Sequence, residues 1–335
     1  MTTDSLNAAP TPKVSVAMVT YRHAPFLAQA IESVLNQQTD FPVELVIGED
    51  CSPDRTREIA REYAARYPDR IRLQLPDENI GLTKNLSRTI SACRGQYVAW
   101  LEGDDYWTSP HKLQTQADYL DRNSDCAWCF TRAEVVDAEG AIIPTGSTLK
   151  EVKPKYTLEE YLRLTFHPRA CTVMFRHRLF PEFPKWFYEL PTGDMPLHVL
   201  NSQHGDIGFI DEVMSAYRIH PGGVWSHGIA PGEWSAKTPE QLRYRAERAK
   251  AMVHLYETLD RNLGGAYRKI LRRQLGIFAT QWTDLNRELG DYSALRVSAW
   301  KALVAQPSVY HLIRPKLIIA LLQGWVRGAQ PSPAK

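Results

Sequence analysis

Several signatures of common protein classes are absent from this chain of 335 residues. No stretch approaches the ~20 consecutive apolar residues that a transmembrane helix needs. The formal net charge is only +2, which is too small to indicate a nucleic-acid partner. Neither GxGxxG nor GxxxxGK[ST] follows the first predicted strand, so neither a dinucleotide site nor a P-loop is supported. Hydrophobic residues make up 44% of the chain, an ordinary share for a globular protein.

Cysteine is scarce, and its pattern predicts no disulfide framework. The five cysteines are odd in number and irregularly spaced, so we expect reduced thiols in a cytoplasmic protein. Cys126 and Cys129 match C-x-x-C, but no second pair accompanies them, and their aromatic neighbours favour a buried strand. The N-terminal sequence MTTDSLNAAPTPK lacks the apolar segment of a signal peptide. We therefore expect residues 1–12 to form a disordered leader.

The first third of the chain alternates apolar strand patterns with amphipathic helix patterns. This alternation predicts an α/β fold with a doubly wound, mostly parallel sheet flanked by helices. We expect the second helix to have Ser52 as its N-cap and Pro53 in its first position. The predicted strands cover residues 13–21, 43–47, 71–75, 97–101, 126–136, 169–176, 208–210 and 213–219.

Strand patterns end near residue 238, and helical spacing of apolar residues replaces them. We therefore predict a first domain over residues 13–237 and a C-terminal helical region of three to five helices over residues 238–335. The apolar segment 312–325 carries a few cations, which is compatible with a membrane surface. Packing on the core or on another subunit is the alternative, and it would give self-association through these helices.

Three carboxylates stand directly after a buried strand, in the sequence Glu102-Gly103-Asp104-Asp105. Their mutual repulsion calls for a positive charge, and a divalent cation such as Mg2+ takes carboxylate oxygens readily. Gly103 is expected to let a ligand approach the backbone. A solvated acidic turn is the alternative interpretation.

Polar residues also end the first two predicted strands, at residues 20–21 and 49–50. The carboxyl ends of parallel strands share one edge of a sheet, so these groups are expected to converge with the acidic turn, residues 102–105. A nucleotide is a ligand that such an edge commonly holds.

The assembled motifs resemble those of the family 2 glycosyltransferases, which have a GT-A fold. The resemblance covers roughly residues 13–227, and the helical region lies beyond it. Residues 101–107 resemble the family's DxD-type motif, with Glu102 in place of the first aspartate. The motifs are KVSVAMVTYRH at 13–23, IGEDCSPDRT at 47–56, ENIGLTKN at 78–85, LEGDDYW at 101–107, GD at 193–194 and YRIHPGG at 217–223.

The resemblance implies roles for individual residues. Asp104 is the first choice for a Mn2+ or Mg2+ ligand, Asp105 is the alternative, and His220 would be the second protein ligand. Asp194 would be the general base, although a helix N-cap is its alternative role. The implied nucleotide-binding residues are Thr20, Tyr21 and Asp50 at the base, Glu49 beside them, Asn79 and Gly81 in the N-x-G loop, Lys84 near a phosphate, Glu102 near the ribose, and Asp104.

The resemblance also implies an activity. It predicts an inverting, hexosyltransferase-type enzyme that moves a sugar from a nucleotide-sugar, expected to be a UDP-sugar, to a glycan or lipid-linked acceptor. Surface polysaccharide synthesis in the cytoplasm, at the inner face of the membrane, is the expected setting. A sugar nucleotidyltransferase is one alternative, but residues 19–23 lack the glycine-rich loop that it would need. A non-catalytic nucleotide-sugar-binding module is the other, although it would be expected to have lost the acidic residues.

Overall fold

The structure, a computed structural model, describes residues 11–145, 149–223, 238–263, 265–305 and 319. The chain divides into two compact units, Met1–Pro231 and Gly232–Lys335. The strands of the described residues are β1 (Val14–Thr20), β2 (Val43–Glu49), β3 (Ile71–Gln74), β4 (Tyr97–Glu102), β5 (Tyr106–Trp107), β6 (Cys126–Val136), β7 (Lys155–Tyr156), β8 (Val173–Arg176) and β9 (Asp206–Arg218). The helices are α1 (Leu27–Leu35), α2 (Thr56–Arg66), α3 (Leu82–Ala92), α4 (Lys112–Arg122), α5 (Leu158–Leu162), α6 (Asp194–Ser202), α7 (Pro239–Leu263), α8 (Arg268–Leu289) and α9 (Tyr292–Ala305).

The first unit is built on one sheet with strand order β3-β2-β1-β4-β8-β6-β9-β5, and β7 pairs with β9. The first four strands of this order are parallel, because a helix returns the chain between each pair of successive strands. Strand β8 runs antiparallel to both β4 and β6, while β6 and β9 are parallel. The predicted α/β fold with helices around a mostly parallel sheet is confirmed.

The core of the first unit lies on both faces of the parallel strands. All seven residues of β1 are buried, and so are Tyr97 to Leu101 of β4. Helix α1 contributes Leu27, Ile31 and Val34 to the same apolar cluster, on one side of its surface. Strands covered on both faces are continuously apolar, so their carboxyl ends are where polar residues first become possible.

Three predicted elements differ from the structure. The strand predicted over 169–176 begins only at Val173, and residues 170–172 form a short 3-10 helix. Helix α2 begins at Thr56 and not at Pro53, and its N-cap is Arg55 and not Ser52. Ser52 Oγ instead accepts a hydrogen bond from the Arg22 backbone N–H at 3.0 Å. The two strands predicted over 208–210 and 213–219 are one strand, β9. Its pairing with β6 shifts register around Arg132, where the exposed residues 211–213 interrupt the apolar pattern.

The second unit contains helices α7, α8 and α9, so the predicted helical C-terminal region is confirmed. Within this unit, Tyr256 of α7 stacks on Phe278 of α8, with ring centroids 5.6 Å apart. Among the described helices, none combines the length and apolar character needed to cross a bilayer. The leader predicted over residues 1–12 lies mostly outside the described residues, as does the apolar segment 312–325. The domain boundary predicted at residue 238 stays a prediction.

Candidate active site

The ends of three parallel strands meet at one edge of the sheet. Thr20 of β1 pairs with Glu49 of β2, and Val19 pairs with Glu102 of β4. The backbone N–H of Asp50 donates to the Thr20 carbonyl at 3.1 Å, which ties the two strand ends together. The expected convergence of polar residues is therefore present in the structure.

Asp104 lies between two histidines that belong to distant parts of the chain. Its Oδ2 atom is 3.0 Å from His220 Nε2 and 3.5 Å from His23 Nε2. Its Oδ1 atom is buried without a hydrogen-bond partner among the described residues. Burial raises the pKa of Asp104, but the positive charges of His23 and His220 outweigh that effect and lower it. We call His23, Asp104 and His220 the histidine–carboxylate cluster.

Asp105 points toward the protein interior. Its side chain is buried, and one of its oxygens accepts a hydrogen bond from the Arg218 backbone N–H at 2.8 Å. Burial, followed by the charge of Asp104, raises its pKa well above the usual range. Asp105 thus anchors the end of β9 to the acidic turn, whereas Asp104 faces the histidines.

The donor set of this edge suits a divalent cation. His23, Asp104 and His220 bring their ligand atoms within 4.8 Å of one another, and Glu102, Asp104 and Asp105 form a second such group. Imidazole nitrogens and carboxylate oxygens are both common ligands of Mn2+ and related ions. The buried, unpartnered Oδ1 of Asp104 is the atom that such an ion would satisfy. The residues present therefore fit a divalent metal.

Gly103 serves a close contact within the protein. A Cβ atom at this position would lie 2.5 Å from Thr20 Oγ1 and 3.0 Å from His23 Nδ1. The space expected for a ligand at Gly103 is therefore occupied by Thr20, at the end of β1, and by His23. Glycine at 103 lets the acidic turn approach His23.

Asp194 is the first residue of α6, so Gly193 and not Asp194 is the N-cap. Its Oδ1 atom accepts hydrogen bonds from Thr192 Oγ1 and from the Met195 backbone N–H. Its Oδ2 atom lies 3.7 Å from His167 Nε2. Burial raises the pKa of Asp194, but the charges of His167 and of His198 in α6 outweigh that effect and lower the pKa.

Asp194 and the acidic turn influence one another. Glu102 has a pKa raised well above its usual range, first by burial, then by the negative charges of Asp104 and Asp105, and also by that of Asp194. A carboxylate that affects Glu102 in this way shares its surroundings. The start of α6 also lies close to β4, since a Cβ atom at Gly193 would be 3.7 Å from the Trp100 ring.

The predicted nucleotide-binding residues have mixed surroundings. Asp50 accepts hydrogen bonds from the backbone N–H groups of Ile80 and Gly81, both at 2.9 Å, and Asn79 Nδ2 donates to the Asp50 carbonyl at 3.0 Å. This arrangement fixes the N-x-G loop, in which Gly81 has a φ of 87° that favours glycine. Asp50 thus orders the loop that precedes α3.

The side chains of the remaining predicted nucleotide-binding residues differ in their hydrogen bonds and in their exposure to solvent. Glu49 is buried, and its carboxylate is engaged by Arg57 and by the Ser52 backbone N–H. Thr20 Oγ1 is buried without a hydrogen-bond partner among the described residues, and the Tyr21 side chain is exposed. Lys84 is exposed in the first turn of α3.

Arg218 joins several parts of the fold through hydrogen bonds, a role that the sequence patterns do not predict. Its guanidinium donates to the carbonyls of Asp104, at 2.9 Å, and Ala138, at 2.7 Å, and to Gln29 Oε1 at 2.7 Å. It also lies over the ring of Phe26, 4.7 Å from the centroid. One buried cation therefore joins β9, the acidic turn and α1, and it holds the turn in place.

We expect Arg218→Ala to lower the free energy of unfolding by about 3 kcal/mol or more, because several buried carbonyls would lose a charged donor. Urea unfolding measures this change. Arg132→Ala is the matched control, since Arg132 pairs with the exposed Asp211 and should cost below about 1 kcal/mol. Equal costs for the two variants would contradict a central role for Arg218.

Known proteins resemble the chain in sequence and fold. An uncharacterized protein of Mycobacterium tuberculosis is 34% identical over 215 residues, which span 63% of this chain and 60% of that protein. Residues 1–349 of S. aureus TarS in complex with UDP-GlcNAc are 20% identical, with a TM-score of 0.53 and coverage of 91% of this chain and 92% of that one. A Pyrobaculum calidifontis mannosyltransferase in complex with GDP-Man and Mn2+ is 16% identical, with a TM-score of 0.55 and coverage of 96% and 88%. At these identities the two structures share the fold of this chain.

A family model described as "Glycosyl transferase family 2" matches residues 15–182, half of the chain. The match begins within β1, includes His23 and the acidic turn, and ends beyond β8. It covers the parallel strands whose ends form the site described above. The chain belongs to the family 2 glycosyltransferases.

Proposed function

We propose that the protein transfers a sugar from a nucleotide-sugar to an acceptor hydroxyl, with inversion of the anomeric centre and with the help of a divalent cation. The observation that carries this proposal is the position of Asp104 between His23 and His220, at the edge where β1, β2 and β4 end. TarS in complex with UDP-GlcNAc and the mannosyltransferase in complex with GDP-Man and Mn2+ support a nucleotide-sugar donor and a divalent cation.

Asp104 and His220 would hold the cation, and Asp105 is the second-choice ligand because its Oδ1 already accepts from Arg218. A bound cation would stabilise the charge that develops on the departing nucleoside diphosphate. Thr20, Tyr21 and Asp50 would contact the base, and Glu102 would lie near the ribose. Of the other proposed nucleotide contacts, Glu49, Asn79 and Gly81 would order the surrounding loops, and Lys84 would reach a phosphate.

Asp194 would take the proton from the acceptor hydroxyl. Its lowered pKa keeps the carboxylate ionised at neutral pH, which a proton acceptor requires. Thr192 and Met195 hold one carboxylate oxygen, so the side chain has a fixed direction. Attack by the deprotonated hydroxyl on the face opposite the leaving group would invert the anomeric carbon.

The alternatives have less support. A sugar nucleotidyltransferase would need a loop for a triphosphate after β1, but the backbone N–H groups of residues 22–24 donate instead to the side chains of Ser52, Thr56 and Asp54. A non-catalytic module is disfavoured by the ionised Asp194 beside the acidic turn. We propose a UDP-sugar as donor and a glycan or lipid-linked acceptor in polysaccharide synthesis. Location in the cytoplasm at the membrane surface, and self-association, stay predictions.

A donor panel tests this function. UDP-GlcNAc, UDP-glucose, UDP-galactose and GDP-mannose would be incubated with the protein and Mn2+, with water as the default acceptor. We expect slow release of a nucleoside diphosphate from one of them, and NMR should first detect the inverted anomer of the free sugar. Release of pyrophosphate from a nucleoside triphosphate and a sugar phosphate would instead favour the nucleotidyltransferase. Turnover of no donor, together with no donor binding, would contradict the proposal.

A further inference from the structure

We infer that His23 is a third protein ligand of the divalent cation, so that the protein binds Mn2+ tightly before any nucleotide is present. This inference deepens the proposed function and rests on it for the presence of a metal. The sequence motifs gave His23 no role, because it is a single histidine in a polar turn after β1.

The position of His23 is fixed from both sides. Its backbone N–H donates to Thr56 Oγ1 at 3.0 Å, and its carbonyl accepts from the backbone N–H groups of Phe26 and Leu27, both at 2.9 Å. The contact with Gly103 described above brings the ring against the acidic turn. Because the backbone of His23 is fixed and its ring lies against the acidic turn, binding an ion would cost little further freedom.

The two imidazoles approach the carboxylate from different directions. The rings of His23 and His220 are 6.2 Å apart between centroids and almost perpendicular, at 83°. Both Nε2 atoms lie near the same atom, Asp104 Oδ2, at 3.5 and 3.0 Å. Ligands on neighbouring coordination positions of an ion with bonds of about 2.0–2.2 Å lie about 3–3.5 Å apart. The distances from Asp104 Oδ2 to the two Nε2 atoms match this spacing, and the three residues bring their ligand atoms within 4.8 Å of one another.

The surroundings of the cluster favour an ion over a plain ion pair. The side chain of His220 is 5% exposed, and those of His23 and Asp104 are each 16% exposed. Asp104 Oδ1 is buried without a hydrogen-bond partner among the described residues. A carboxylate oxygen left without a donor is costly, and a cation held by both oxygens of Asp104 would satisfy it. Phe26, packed 4.6 Å from the His220 ring, excludes water on that side.

The ligand set also determines which ion is preferred. Mg2+ takes oxygen ligands and keeps its waters, whereas imidazole suits transition metals. Two imidazoles and one carboxylate would therefore select Mn2+ over Mg2+. Three protein ligands would leave coordination positions for diphosphate oxygens. The ion would thus be a resident part of the site, and the nucleotide would bind to the loaded protein.

The test is calorimetric titration of the protein with Mn2+ alone, with no nucleotide. We expect one ion per chain, binding at least about 10-fold more tightly than Mg2+. His23→Ala and His23→Gln should weaken Mn2+ binding by about 10- to 100-fold or more, since even outer partners of metal ligands contribute that much. His204→Ala, at an exposed histidine of the same unit, is the control and should bind as the wild type does.

A second measurement does not depend on how the variants fold. Electron spin-echo modulation of Mn2+ bound to the wild-type protein should detect two coordinated imidazole nitrogens. A single coordinated imidazole, or unchanged Mn2+ affinity in folded His23→Ala, would overturn the inference. If Mn2+ then still binds in an Asp104-dependent way together with a nucleoside diphosphate, the proposed function stands without it. If Asp104→Ala also leaves Mn2+ binding unchanged, the metal assignment of the proposed function fails as well.

Discussion

Replacement of Asp194 by asparagine is expected to lower the rate of sugar transfer by about 100- to 10,000-fold, the usual contribution of a general base. Asparagine keeps the shape of the side chain and an oxygen that accepts from Thr192 and Met195. It cannot accept the acceptor's proton. Donor affinity should change little, because the proposed role of Asp194 concerns the acceptor. Steady-state rates at saturating donor, compared with calorimetric donor affinity, measure both quantities.

A purely structural role for Asp194 predicts a different outcome. Asn would then preserve the start of α6 and be nearly silent, while Ala would cost roughly 1 kcal/mol of stability, as for the loss of a helix-start acceptor. Transfer by Asp194→Asn at nearly the wild-type rate would therefore refute the catalytic role. The Asn variant separates the two roles, whereas the Ala variant removes both at once.

Asp104→Ala is expected to abolish metal-dependent binding of the nucleoside diphosphate while the protein stays folded. The variant removes the carboxylate that both His23 and His220 approach, and it also relieves the repulsion that Asp104 exerts on Glu102 and Asp105. Loss of binding without loss of stability would identify Asp104 as a ligand. Calorimetry with Mn2+ and the nucleotide, together with thermal unfolding, measures both.

Asp125→Ala is the matched control for this experiment. Asp125 is an exposed carboxylate of the same unit, and it forms an ion pair with Lys155 at 2.6 Å. It has no proposed role in binding the metal or the nucleotide. Its removal should leave nucleotide binding unchanged. If Asp104→Ala retained full Mn2+-dependent affinity, Asp105 would become the next candidate ligand.

The parallel half of the sheet could be predicted because burial dictates its residues. Strands β1 and β4 are covered on both faces and are therefore continuous apolar runs. The acidic turn could be predicted for the same reason, because three carboxylates directly follow the apolar run of β4. The start of α2 was misplaced because Ser52, a good N-cap residue, is used by Arg22 instead. Local capping preference cannot reveal such a competing tertiary contact.

The contacts within the site could not be read from local patterns. His23 and Arg218 are single polar residues at strand ends, and neither periodicity nor a nearby partner distinguishes them from surface residues. Their roles arise only when β1 pairs with β4, and when β5, which follows the acidic turn, pairs with β9. The sequence predicts close approach at Gly103, but with a ligand, whereas the neighbours in the structure are Thr20 and His23.

The central claim is that the strand ends form a metal-dependent nucleotide-sugar site. Calorimetric titration of the wild-type protein with UDP, GDP and dTDP, each with and without Mn2+, tests it most directly. We expect one of these nucleotides, UDP, to bind in the presence of Mn2+ and much more weakly in its absence. Binding of none of them with Mn2+, or binding that is indifferent to Mn2+, would contradict the account.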